Sequence, residues 1–247
     1  MRSLVFLLCA GGAMWAQIAE EFNPPKASCC LVGVAQGLAD QLRDWNQLGR
    51  YFAANEALKK EAVPAGRVVF FGDSITDGWK LDQYFPGKPY VNRGIGGQTT
   101  AQMIVRMFPD VINLKPAALI VLAGTNDIAG NNGPQTFEQI TQNLEAISEL
   151  AQGHKIKMIL CALLPTSDYT ARKQLGHRPL ADIVKLNAWI KSYAARTGAT
   201  YCDYYTATAD GKGLLKDGFS GDGLHPNAKG YELMAPVAEA AIMKALQ

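Results

Sequence analysis

Val68-Val69-Phe70-Phe71-Gly72-Asp73-Ser74-Ile75-Thr76-Asp77-Gly78 decides how the chain is read. Four apolar residues end abruptly in Gly72-Asp73-Ser74. That pattern predicts a buried strand stopping at a tight turn. Ser74 then stands at the mouth of a sheet, at the start of whatever helix follows. Its hydroxyl is exposed there, beside backbone N–H groups able to hold an oxyanion.

Working outward, strand-like and helix-like runs alternate. Apolar runs at 68–71, 90–92, 119–123, 156–164 and 200–204 read as strands, and 99–108, 136–152, 180–197 and 227–246 as helices. Upstream, Leu38, Leu42, Trp45, Leu48, Phe52 and Leu58 recur at helical spacing and predict one helix over 35–60. Strands separated by helices of this length predict βαβ units and a parallel sheet. The fold class is α/β: one three-layer α/β/α sandwich with right-handed crossovers.

Ligands of such sheets bind outside the carboxyl ends of the strands. The unusual residues fall there. Arg93-Gly94-Ile95-Gly96-Gly97-Gln98-Thr99 follows the second strand, Gly124-Thr125-Asn126-Asp127 the third, and Pro165-Thr166-Ser167-Asp168 the fourth. Asp222-Gly223-Leu224-His225-Pro226 lies after the fifth.

A serine hydroxyl needs a base to become a nucleophile, and the base needs an orienting partner. Imidazole is the usual base, since it ordinarily titrates near about pH 6.5. His154 sits in a turn leading into a strand, at the wrong sheet edge. His177 lies in a long polar loop, where it could line a substrate rim. His225 precedes the last helix, and Asp222 three residues earlier can hold one of its ring nitrogens. The N–H groups of Ser74 and Gly97 and the Asn126 amide are candidate oxyanion donors. The alternatives are a plain turn or phosphate loop at Gly94-Gly97 and a helix cap at Asn126. Taken together these alternatives leave five coincidences at one sheet edge unexplained. Asp73 reads as a structural residue whose carboxylate holds the turn. Trp79 and Tyr84 read as packing, with a place at the pocket border as the alternative, and 166–179 as a solvated loop, with a rim or lid as the alternative.

The 247 residues are 48% hydrophobic and 19% charged, with a formal charge of +2 and no basic cluster. That argues against a nucleic-acid surface or a polybasic membrane anchor. Arg2 followed by an apolar run to about Ala16 reads as an export leader, with an uncleaved anchor as the alternative. Stable membrane insertion is not expected from so short a run. Cys161 and Cys202 read as buried thiols, and Cys29 and Cys30 lie near the mature start. No spacing of cysteine and histidine predicts a metal site.

These blocks resemble the SGNH, or GDSL, hydrolase superfamily. Gly72-Asp73-Ser74-Ile75 resembles its nucleophile block. Gly94-Ile95-Gly96-Gly97-Gln98-Thr99-Thr100 resembles the glycine block, and Gly124-Thr125-Asn126-Asp127 the asparagine block. Asp222-Gly223-Leu224-His225-Pro226 resembles the Asp-x-x-His block. The middle two are similar to the platelet-activating-factor-acetylhydrolase-like branch. The resemblance implies a flavodoxin-like fold with five parallel strands ordered 2-1-3-4-5. It also implies ester hydrolysis through an acyl-serine without a cofactor. Ser74, Asp222 and His225 would be catalytic, and Ser74, Gly97 and Asn126 would form the oxyanion hole. Gly-x-Ser-x-Gly is absent because position 76 is threonine, which argues against a lipase-type α/β-hydrolase. The expected organisation is a leader over 1–16, an N-terminal extension with an amphipathic helix over 17–66, and the hydrolase domain over 67–247.

The expected function is a secreted or periplasmic serine esterase acting on small-molecule or carbohydrate esters, with short acyl or acetyl groups favoured because no long hydrophobic lid is present. An O-acyltransferase that passes the acyl group to a sugar hydroxyl is the alternative. A flavodoxin-like module holding phosphate or flavin explains neither His225 nor Asp222.

Overall fold

The computed structural model describes residues 31–247, so the leader, Cys29 and Cys30 lie outside the described residues. The chain divides into two compact units, residues 1–43 and 44–247. Helix α1 (Leu31–Arg43) belongs to the first.

The second unit holds, in order, α2 (Phe52–Lys60), β1 (Val68–Gly72), α3 (Ser74–Asp77), α4 (Leu81–Tyr84) and β2 (Tyr90–Gly94). Then come α5 (Thr100–Val105), α6 (Met107–Asp110), β3 (Ala118–Leu122), α7 (Thr125–Ile128) and α8 (Phe137–Gly153). The order ends with β4 (Lys157–Cys161), α9 (Leu180–Thr197), β5 (Thr200–Cys202), α10 (Tyr204–Thr208) and α11 (Ala228–Leu246). All four strand pairings are parallel, and the sheet order is β2-β1-β3-β4-β5, as expected.

The strands read as unbroken apolar runs because both faces are covered. Alternate side chains enter separate cores. Val69, Phe71, Leu119 and Val121 pack with Met103, Met107, Leu144, Ile147, Leu186 and Ile190 from α5, α6, α8 and α9. Val68, Phe70, Ile120 and Ile159 pack with Ile75, Trp79, Met234, Ala238 and Ile242 on the other side. Trp79 is 3% exposed and lies among Phe70, Phe85, Tyr204 and Tyr231, so it packs rather than meets substrate. Cys161 and Cys202 are register partners on β4 and β5, both buried as free thiols.

The strand expected over 200–204 ends at Cys202, and three longer elements depart further from expectation, each for a local reason. The helix expected over 35–60 is two helices. Between them the Asp44 carboxylate accepts from Leu48 N (2.7 Å) and Gly49 N (2.8 Å), and Gln47 turns to φ 55°. An aspartate that binds nearby backbone in this way competes with the helical ladder. The helix expected over 99–108 breaks after Val105, because Pro109 has no N–H to give that carbonyl. The strand expected over 156–164 stops at Cys161. Beyond it the Asn187 amide replaces a strand partner, accepting from Leu163 N (2.7 Å) and donating to Leu163 O (2.9 Å).

Candidate active site

Gly72 ends β1 and Asp73 caps the short helix that follows. Its Oδ1 accepts from Ile75 N at 2.9 Å, which fixes Ser74 at the first helical position. Burial pushes the Asp73 carboxyl up to about 6, although the Ile75 N–H and the nearby His225 pull the other way. β2 is drawn close against this turn. A Cβ on Gly94 would lie 2.1 Å from Asp77 N, so only glycine lets the two backbones meet. Asn92 ties the same elements together, donating to Thr76 O (2.6 Å) and Trp79 O (2.9 Å) and accepting from Gly94 N (2.8 Å).

Beneath them lies Arg106, fully buried. Its guanidinium donates to Gln98 Oε1 (2.6 Å), Arg93 O (2.7 Å), Gly72 O (2.9 Å) and Asp110 Oδ2 (3.1 Å), and stacks 4.1 Å from the Phe71 ring. One side chain thus braces the ends of β1 and β2 and the glycine loop. Gln98, held in place by Arg106, accepts from Asn126 Nδ2 through its carbonyl at 3.0 Å. Asp127 closes the third side, accepting from Thr100 N and Thr100 Oγ1.

The last loop brings the remaining residues. His225 Nε2 lies 2.8 Å from Ser74 Oγ, and His225 Nδ1 lies 2.7 Å from Asp222 Oδ2. Asp222 Oδ1 accepts from His225 N (2.9 Å) and Leu224 N (3.1 Å). Burial raises the Asp222 carboxyl, but the His225 N–H, its ring and the Leu224 N–H outweigh that and hold it at about 2. Asp222 is therefore an anion facing Nδ1 at neutral pH, which orients the ring and leaves Nε2 to the serine. Gly223 makes this compact turn feasible, since its φ is 79° and a Cβ there would meet Ser167 O at 2.2 Å.

Ser74, Gly97, Asn126 and His225 line one cavity of about 460 Å³. The N–H groups of Ser74 and Gly97 have no acceptor among the described residues. Asn126 is 3% exposed. Its Oδ1 accepts from Arg178 Nη2 at 3.2 Å; a guanidinium can only donate, so the NH₂ group faces the opposite way, toward Gln98 O. All five residues singled out from the sequence meet at this cavity or, for Asp222, directly behind it.

Two features escape sequence reading. One is the Arg106–Gln98 brace. The other is the internal order of the segment 166–179, an exposed loop that also walls the cavity. Arg172, Lys173, Gln174, His177 and Arg178 all line the cavity. Asp168 Oδ1 folds the segment by accepting from Gln174 N (2.6 Å) and Leu175 N (3.0 Å). Gln174 then bridges Arg178 (3.1 Å) and Asp222 O (2.9 Å). His154 is the C-cap of α8, at the far sheet edge.

The family model for the GDSL-like lipase/acylhydrolase family matches residues 70–233, which contain every residue of this cavity. The chain belongs to that family. Among solved structures, a candidate acylhydrolase from Bacteroides fragilis superposes with a TM-score of 0.77 at 38% identity, covering 83% of this chain and 99% of its own. An acetylxylan esterase from Xylanibacter ruminicola is 25% identical over 235 residues, 79% of this chain and 46% of that protein. An uncharacterized lipoprotein from Bacillus subtilis is 33% identical over 127 residues, 44% of this chain and 52% of that protein. The chain thus spans about half the length of the curated relatives it matches. Membership fixes an acylhydrolase family and leaves the ester open.

Proposed function

We propose that this chain is a serine esterase that hydrolyses short-chain acyl or acetyl esters through an acyl-serine intermediate. The observation that carries the reading is the continuous hydrogen-bonded line Ser74 Oγ–His225–Asp222, opening on a cavity with free donors opposite. Ser74 Oγ attacks the ester carbonyl while His225 Nε2 takes its proton. Charge moves to the carbonyl oxygen, where Ser74 N–H, Gly97 N–H and the Asn126 amide receive it. The carbon–oxygen bond to the alcohol then breaks, and His225 returns the proton to the departing alkoxide. Water repeats the sequence on the acyl-serine, giving acid and free Ser74. Asp222 keeps its charge throughout and stabilises the imidazolium. With 40% of the His225 side chain exposed, water has a path to the acyl-enzyme, which favours hydrolysis over transfer to a second alcohol.

The similarity to an acetylxylan esterase supports acetylated carbohydrate as the substrate class. The Arg2-headed apolar start supports export, and among the described residues no helix is long and apolar enough to cross a membrane. The test is hydrolysis of p-nitrophenyl acetate, butyrate and octanoate by the chain without residues 1–16. Acetate should be fastest, and Ser74→Ala and His225→Ala should each remove turnover while leaving the thermal transition in place. Retained activity in either variant would refute the assignment.

A further inference from the structure

The cavity wall carries charge of one sign. Arg172, Lys173 and Arg178 line it together with His177, and among the described residues no carboxylate does. Carboxylates stand behind this wall rather than in it: Asp168 acts on Lys173, and Asp73 and Asp222 act on Arg178. Lys173 Nζ donates to a backbone carbonyl, Asp168 O, at 2.7 Å. Arg178 gives its hydrogens to two neutral amide oxygens, those of Asn126 and Gln174. Arg172 comes no closer than 3.9 Å to Asp222 Oδ2, whose oxygen is already held by His225 at 2.7 Å. A partly enclosed cleft whose lining carries cations and no carboxylate concentrates anions.

The position of these cations says which part of the ester they meet. The departing alcohol must lie within reach of His225 Nε2 to receive its proton. Arg172 approaches Asp222, and Gln174 Nε2 is bonded to Asp222 O, so the start of the cationic segment stands on the His225 side of the cavity, while Arg178 reaches across to Asn126.

We propose that the site takes esters whose alcohol portion carries a carboxylate, an O-acylated acidic sugar above all, with Arg172 and Lys173 pairing to that carboxylate. This rests on the serine-esterase reading and narrows its substrate class. The carboxylate takes no part in bond making. It leaves with the alcohol after the carbon–oxygen bond breaks and the proton of His225 is transferred.

The test compares an O-acetylated methyl uronoside with the matching O-acetylated methyl hexoside, which differ only in carboxylate against hydroxymethyl. The wild type should favour the uronoside in kcat/KM by roughly five- to tenfold at low salt, the size expected of two partly exposed ion pairs. The preference should shrink toward unity in high salt and in the Arg172→Gln/Lys173→Gln variant. It should persist in Lys244→Gln, which removes a charge from the last turn of α11. Equal turnover of the two esters by the wild type, or a preference that survives the double substitution, overturns the proposal. p-Nitrophenyl acetate separates the two levels of failure. If wild type cleaves it and Ser74→Ala does not, only the acidic-alcohol assignment has failed. If Ser74→Ala cleaves it as well as the wild type, the esterase reading has failed and the proposal falls with it.

Discussion

The ends of β1, β2 and β3 and the loop bearing Asp222 and His225 meet at one cavity, yet they are held in different ways. On the first side the bracing groups are buried, while Ser74 is half-buried and Gly97 exposed at the rim. Asp73, Asn126 and Arg106 are 1%, 3% and 0% exposed, and the backbone approaches so closely that Gly94 has no room for a side chain. On the second side the side chains of His225 and Asp222 are 40% and 25% exposed, and their geometry comes from short polar contacts within one turn. The difference matches the work each does. In the proposed mechanism oxyanion donors stabilise best when they cannot reorient, and the buried Asn126 side chain is held in that way by Gln98 and Arg178. The base must exchange protons with alcohol and water, so it stays within reach of solvent.

The comparison can be broken at its brace. Arg106→Ala should leave Asp110 buried without its cation and take the side-chain donor from the Arg93 and Gly72 carbonyls, of which Gly72 keeps the Ile95 N–H. The expected loss is about 3–5 kcal/mol of stability, measured by urea unfolding. A loss below about 1 kcal/mol would show that the frame does not depend on this side chain. Asn126→Ala strikes the same side without removing the brace. It should lower kcat by about 10²–10³-fold, or 2.7–4 kcal/mol, with KM little changed. A rise in KM at constant kcat would place Asn126 in ground-state binding instead.

Asp73 sharpens the contrast from within. Its carboxyl is raised to about 6 in the folded protein, against 3.8 for the ordinary side chain. As pH rises through that window the unfolded chain gives up its proton first. This side chain therefore withdraws stability between pH 3.8 and about 6, and the full penalty is present at pH 7. Asp73→Asn keeps an oxygen for Ile75 N and removes the charge. It should gain up to about 3 kcal/mol at pH 7, with the gain vanishing toward pH 4. Asp222 has the opposite sign: its carboxyl lies at about 2, so its stabilising contribution is present at neutral pH and fades only as pH falls below about 4. An Asp73→Asn protein whose gain does not vary with pH would mean that the carboxyl titrates alike in the folded and the unfolded chain.

How legible the site was follows from the same division. The residues at the cavity could be named because each is an unusual type at a strand end: Ser74 after an apolar run, Asn126 after another, and Asp222 three before His225. The parallel sheet could be read from unbroken apolar strands between helices. Arg106 could not. An arginine four residues before an aspartate reads as a surface pair, and only the convergence of β1, β2 and the Gln98 loop buries it. Nor could the internal order of 166–179, which comes from Asp168 binding the Gln174 and Leu175 N–H groups and from Gln174 reaching across to Asp222. The break at 44–51 was hidden because apolar periodicity continues through it, while a single aspartate side chain takes over the backbone donors.

The central claim is that Ser74 carries the acyl group, and it is tested most directly by trapping that group. The protein would be mixed with p-nitrophenyl acetate, quenched in acid within the first turnover, and its peptides measured by mass spectrometry. The account predicts one added acetyl group, on the peptide containing Ser74, and none in Ser74→Ala or His225→Ala. A turning-over enzyme acetylated at another residue, or equally acetylated in Ser74→Ala, would contradict it.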